Sequence, residues 1–94
     1  MKKILKQYKR ILPNGDRVIV EAIKVDNPAY KDGVIYTFRC MSETGETLFA
    51  IENSHGKPHV HLKDRKFETD WDWEQALAKF DEMVREHKKK IQGA

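Results

Sequence analysis

The sequence predicts an α+β protein in which an antiparallel β-meander of four or five strands carries one long C-terminal helix packed on the sheet. The first observation is a series of short apolar runs separated by turn signals, which is typical of strands joined by hairpins. The second is a sustained 3.6-residue period that is confined to the C-terminal part of the chain. The third is the length of 94 residues, which favours a single domain over residues 1–94.

The first two predicted strands form a hairpin. They run from Gln7 to Leu12 and from Arg17 to Val25, with Asn14-Gly15 between them. Asn-Gly between two apolar runs favours a hairpin because both residues tolerate positive φ. The second strand carries apolar residues on both faces, which indicates a strand that is covered at least partly on both sides.

Three more strands complete the predicted meander. They run from Val34 to Met41, from Glu46 to Asn53 and, after a turn at His55 to Pro58, from His59 to Lys63. Polar or glycine-bearing loops separate them, and Gly45 supplies a left-handed turn position. Consecutive short strands with such turns are typical of antiparallel pairing between neighbours.

The last element is an amphipathic helix that begins between Thr69 and Trp73 and runs to about Lys89. Its apolar stripe has helical spacing and consists of Trp73, Ala76, Leu77, Phe80, Met83, Val84 and His87. Asp72 with Gln75 resembles a capping box, and His87 is predicted to pack or cap. The predicted core comprises Tyr36, Phe38, Phe49, Ile51, Val60, Leu77, Phe80 and Val84.

Composition restricts the class of protein. The chain is 39% hydrophobic and 35% charged, as expected for a globular domain. It lacks the ~18 consecutive apolar residues of a membrane span and the apolar run of a secretory signal, so we expect a cytoplasmic protein without a membrane partner. The lone Cys40 excludes an internal disulfide, and its position beside Tyr36 and Phe38 predicts a buried thiol. A net charge of +3 suits a nucleic-acid partner.

The most informative segment runs from Glu52 to Lys63 and contains three of the four histidines: His55, His59 and His61. In a strand, alternate residues share a face. Val60 and Leu62 belong in the core, so His59, His61 and Lys63 are expected to share an accessible face.

This pattern favours acid–base chemistry on a phosphate. Two histidines titrating near neutral pH can serve as general base and general acid. Lys57 and Lys63 can hold the phosphate and stabilise its developing charge. This is the equipment of a ribonuclease that needs neither a metal nor another cofactor.

Neighbouring residues extend this candidate site. Arg39 joins it if its strand shares the sheet with the histidine strand. His55 is a third candidate for proton transfer, Asn53 a candidate to orient a histidine, and Glu52 a further polar neighbour.

Two other interpretations stay open. His59-Val60-His61 presents two imidazoles to one point, and His55 or Glu52 could supply a third metal ligand. The flanking lysines argue against this, since they repel a divalent cation. The histidine cluster can also be purely structural.

At these residues the chain resembles the TumE family, small toxins of type II toxin–antitoxin systems in bacteria and archaea. The resemblance rests on Tyr36-Thr37-Phe38-Arg39, a glycine turn, Glu52-Asn53 where the family usually has Asp-Asn, and His59-Val60-His61 before a short amphipathic helix. It implies a toxin that is neutralised by an antitoxin encoded beside it, usually a small helix-turn-helix protein.

The sequence therefore leads to one favoured hypothesis and two alternatives. The favoured one is a toxin-like endoribonuclease that acts on RNA with His59 and His61 as the acid–base pair. The first alternative is a non-catalytic module that binds nucleic acid or an acidic antitoxin segment through its basic face, a sheet edge or the helix. The second is a metal-dependent hydrolase with a His-x-His site. A homodimer is compatible with each.

Overall fold

The computed structural model describes residues 2–92, with Lys31 described for its backbone alone. The elements are β1 (Lys3–Ile11), β2 (Arg17–Lys24), β3 (Val34–Met41), β4 (Thr47–Glu52), β5 (His59–His61), β6 (Lys66–Glu68) and α1 (Trp73–Gln92). The strands form one antiparallel sheet in sequence order. The predicted meander with a C-terminal helix is thus confirmed, with six strands rather than four or five.

The β1–β2 hairpin closes through a turn with a single left-handed residue. The N–H of Leu12 donates to the Asp16 carbonyl at 2.7 Å, and the N–H of Gly15 donates to the Leu12 carbonyl at 2.9 Å. Gly15 has φ +93°, whereas Asn14 keeps a negative φ. This is a three-residue hairpin loop with glycine at the bulge position, so the Asn-Gly signal located the turn although only Gly15 uses positive φ.

Helix α1 packs across β3 and β4. The ring centroid of Phe80 lies 5.8 Å from that of Phe38 and 5.7 Å from that of Phe49, and Tyr36 stacks on Phe38 at 5.1 Å. All residues of the predicted core are buried except Leu77. The Leu77 side chain is partly buried and packs against the edge of the core. Cys40 is also buried, and burial raises the pKa of its thiol to about 11, so it packs as a neutral group.

The start of α1 has the predicted capping box. The N–H of Gln75 donates to Asp72 Oδ1 at 2.8 Å, and the N–H of Asp72 donates to Gln75 Oε1 at 3.1 Å. The Tyr36 hydroxyl donates to the Trp71 carbonyl at 2.9 Å and ties the entry of the helix to β3. Within residues 2–92, no helix is both long enough and apolar enough to span a membrane.

The far end of α1 is held by His87 and Asp16. His87 Nε2 lies 2.6 Å from Asp16 Oδ2, and the His87 ring packs edge-on against Phe49. Asn14 Nδ2 also donates to Asp16 Oδ2 at 2.9 Å. Burial acts to raise the pKa of the Asp16 carboxyl, but the hydrogen bonds from His87 and Asn14 outweigh it and lower the pKa below 3.8. His87 therefore packs against Phe49 and links the C-terminal part of α1 to the β1–β2 hairpin, which agrees with the predicted packing role.

Replacing Asp16 with alanine is expected to lower the free energy of unfolding at pH 7 by about 1.5–3 kcal/mol, the range for hydrogen bonds to a charged group. Because the folded-state pKa of Asp16 is depressed, its contribution is complete above pH 3.8 and is lost as the pH falls through that lower pKa. Urea unfolding at several pH values measures this, and exposed Asp64→Ala is the control. A constant difference between Asp16→Ala and wild type down to pH 2 would contradict the assignment.

Candidate functional site

The candidate site lies on the sheet face opposite α1, which we call the open face. Val60 points into the core and is 2% exposed, so its neighbours His59 and His61 point to the opposite side of β5. Both histidines are partly exposed, with 19% and 34% of their side chains accessible. Their ring centroids are 6.2 Å apart, which allows both rings to address one phosphate group.

Cross-strand pairing arranges the open face in two adjacent rows. In the first row, Arg39 lies opposite Ala50, Ala50 opposite His61, and His61 opposite Lys66. The second row runs in the same way through Thr37, Glu52, His59 and Glu68. The first row is therefore cationic at both ends, and the second brings a carboxylate to each side of His59.

Each histidine has a carboxylate near its Nε2 atom. His59 Nε2 lies 3.7 Å from Glu68 Oε1, and His61 Nε2 lies 3.6 Å from Glu52 Oε1. Both separations exceed the length of a hydrogen bond. Catalytic hydrogen bonds are often this long before substrate binds, and they shorten in the substrate complex. A carboxylate in this position can orient an imidazole and stabilise its protonated form.

Arg39 reaches the site as expected for a shared sheet. It is exposed on β3 and lines a shallow pocket of about 390 Å³ with Thr47, Ala50, Glu52 and His61. The small side chain of Ala50 lies between Arg39 and His61 and leaves this space open. The pocket thus brings together a guanidinium, an imidazole and a carboxylate, and its guanidinium can bind an anionic oxygen.

Asn53 lies outside this arrangement. Its side chain is buried, accepting a hydrogen bond from the Tyr36 N–H at 2.7 Å and donating to the Val34 carbonyl at 2.8 Å. Both ends of the amide thus bind the backbone at β3, where they replace ladder hydrogen bonds beyond the end of β4. These contacts support a structural role for Asn53, whereas the sequence had suggested that it orients a histidine.

The remaining predicted residues lie in loops beside the histidine strand. His55 and Lys57 are exposed between β4 and β5. The prediction that the fifth strand extends to Lys63 is wrong, because the chain turns after His61 and the N–H of Leu62 donates to the Arg65 carbonyl at 2.8 Å. Lys63 is exposed in that turn, and Lys66 takes the position beside His61.

Glu68 and Lys66 were missed by sequence reasoning. They belong to β6, a three-residue strand that is exposed throughout. So short a polar segment has no apolar alternation by which to recognise it. The available signal was the turn at Lys63-Asp64-Arg65, which returns the chain beside β5 and leaves room for one more strand.

The described residues contain no group of three or more His, Cys, Asp or Glu side chains placed to hold a metal ion. The two histidines and two glutamates instead form separate pairs, each with its own contact. Comparisons with protein-family models, curated proteins and solved structures found no match to this chain.

Proposed function

We propose that the protein is a toxin-like endoribonuclease that cleaves RNA on the open face without a resident metal. The observation that carries the proposal is the placement of His59 and His61 side by side, each beside a carboxylate, with Arg39 across Ala50 in the same cross-strand row. Arg39, Glu52 and His61 line one shallow pocket, and His59 lies beside His61. The toxin role is supported by the sequence resemblance described above.

The reaction that suits these groups is internal transesterification. One histidine accepts the proton of the ribose 2′-hydroxyl, and the 2′-oxygen forms a bond to phosphorus. The bond from phosphorus to the 5′-oxygen breaks, and the other histidine protonates that oxygen. The products are a 2′,3′-cyclic phosphate and a free 5′-hydroxyl, so protons and electrons balance without a cofactor.

The surrounding charges have distinct roles in this scheme. Arg39 and Lys66 stabilise the extra negative charge on the phosphorane, at opposite ends of the row that contains His61. Glu52 and Glu68 orient the rings and stabilise the histidine that has taken up a proton.

The purified protein is expected to cleave single-stranded RNA in the presence of EDTA and to leave 2′,3′-cyclic phosphate ends. Mass spectrometry of the fragments identifies those ends, and a DNA oligonucleotide of the same sequence is the matched control because it lacks the 2′-hydroxyl. Cleavage that requires a divalent ion would favour the metal-dependent hydrolase. RNA that binds and stays intact would favour the non-catalytic module.

The toxin role has a separate test. Expression of the chain in a bacterial host is expected to arrest growth, and co-expression of a small helix-turn-helix protein encoded beside it is expected to restore growth. A chain that cleaves RNA in vitro but never impairs growth would retain the ribonuclease assignment and remove the toxin assignment.

A further inference from the structure

The first strand of the sheet has a long edge with unpaired backbone groups. In the described part of the chain β1 pairs with β2 alone, and the register is regular from Lys6 opposite Ala22 to Ile11 opposite Arg17. Such an edge is a template for another strand. The opposite edge, β6, has only three residues, so β1 is the better template.

The hairpin geometry identifies which groups point outward. The Leu12 N–H donates to Asp16 across the hairpin, and antiparallel residues alternate between bonding their neighbour and pointing away. Counting back from Leu12, the N–H and C=O groups of Ile11, Lys9 and Gln7 point away from β2. An added strand would pair with these three residues.

The β1 edge is strongly basic. It carries Lys3, Lys6, Lys9 and Arg10, and the sequence has no acidic residue before Asp16. A second copy paired through the same edge would place cations against cations, which is destabilising. An acidic segment has the complementary charge.

A groove beside the edge continues the positive charge. It lies between β1 and α1, has a volume of about 480 Å³, and is lined by Tyr8, Arg10, Asp81, Val84, Arg85 and Lys88. The guanidinium of Arg10 lies 5.3 Å from the Tyr8 ring centroid. Three cations and one carboxylate therefore surround the helix side of the edge.

We propose that the β1 edge binds an extended acidic segment of a partner protein as a seventh strand of the sheet. Alternate side chains of that segment point to the groove, where Arg10, Arg85 and Lys88 favour carboxylates. The others point to the open face beside Ile11, which is 72% exposed and favours apolar contact. The segment is thus expected to alternate acidic and apolar residues. Nucleic acid suits this edge less well, because it cannot complete a ladder of amide and carbonyl groups.

The test uses the full chain and a synthetic peptide of alternating glutamate and valine. The peptide is expected to bind and to protect the amides of Gln7, Lys9 and Ile11 from hydrogen exchange. A peptide of the same composition with glutamates and valines in two blocks is the matched control and is expected to bind about tenfold more weakly or worse, since it cannot place carboxylates at every second position. Protection at other amides, or equal affinity for both peptides, would overturn the proposal.

Two variants separate the backbone from the charge contribution. Lys9→Pro removes an outward N–H without removing a bond to β2, as edge strands tolerate, and Arg10→Glu reverses one charge that lines the groove. Each is expected to weaken peptide binding about tenfold or more, whereas Lys79→Glu, an exposed exchange on α1, is expected to leave it unchanged. Unchanged affinity in Arg10→Glu would refute the proposal even where Lys9→Pro fails to fold.

Two further measurements separate this proposal from its rivals. His59→Ala is expected to bind the peptide normally, so the edge proposal and the ribonuclease proposal can fail independently. If oligouridylate displaces the peptide and Arg10→Glu loses both ligands equally, the edge is a nucleic-acid surface and the proposal is wrong.

Discussion

Alanine in place of His59 or His61 is expected to lower the rate of RNA cleavage by about 10²–10⁴-fold for each variant, the usual contribution of one general acid or base. The reason is positional: both rings lie on the accessible side of β5 at a centroid separation of 6.2 Å. Neither ring is part of the core, so each variant is expected to unfold at the wild-type temperature within a few degrees. Cleavage rate, growth arrest and thermal unfolding are measured together.

The pH dependence distinguishes catalysis from binding. With both histidines present, the rate is expected to follow a bell-shaped curve, because one ring must be neutral and the other protonated. Each alanine variant should lose one limb of that curve. His55→Ala tests the third histidine, which lies in the exposed β4–β5 loop. If both β5 variants cleave RNA as fast as wild type, the catalytic proposal is wrong and the binding module replaces it.

Alanine in place of Phe80 is expected to lower the free energy of unfolding by about 3–5 kcal/mol, the usual cost of truncating a buried aromatic residue. Phe80 is 0% exposed and joins α1 to β3 and β4 through Phe38 and Phe49. Its removal leaves a cavity where the helix crosses the sheet. Urea unfolding followed by circular dichroism measures the change.

The control for Phe80→Ala is Lys79→Ala, one position earlier on the exposed side of the helix. An exposed exchange of this kind usually changes stability by less than about 0.5 kcal/mol. A loss of less than about 1 kcal/mol in Phe80→Ala would show that the helix does not pack on the sheet in solution as described, since a core aromatic costs far more.

Local patterns in the sequence were sufficient for the main elements. The apolar stripe and capping box located α1, and the first four strands followed from apolar runs and from turns at Gly15 and Gly45, although β1 begins at Lys3 and not at the predicted Gln7. The face of His59 and His61 followed from period two alone, because Val60 between them requires the core. These signals are local, since each depends on residues within a few positions of one another.

The tertiary structure decided what lies beside the histidines. Glu68 and Lys66 reach them only because β6 pairs with β5, and Arg39 approaches His61 only because β4 places the small Ala50 between them. The contact between His87 and Asp16 joins residues 71 positions apart. Pairing across strands depends on register and packing along the whole chain, and no local period encodes it. The sequence alone therefore determined the elements and the direction of the two histidines, whereas the charged neighbours of those histidines were set by the assembled sheet.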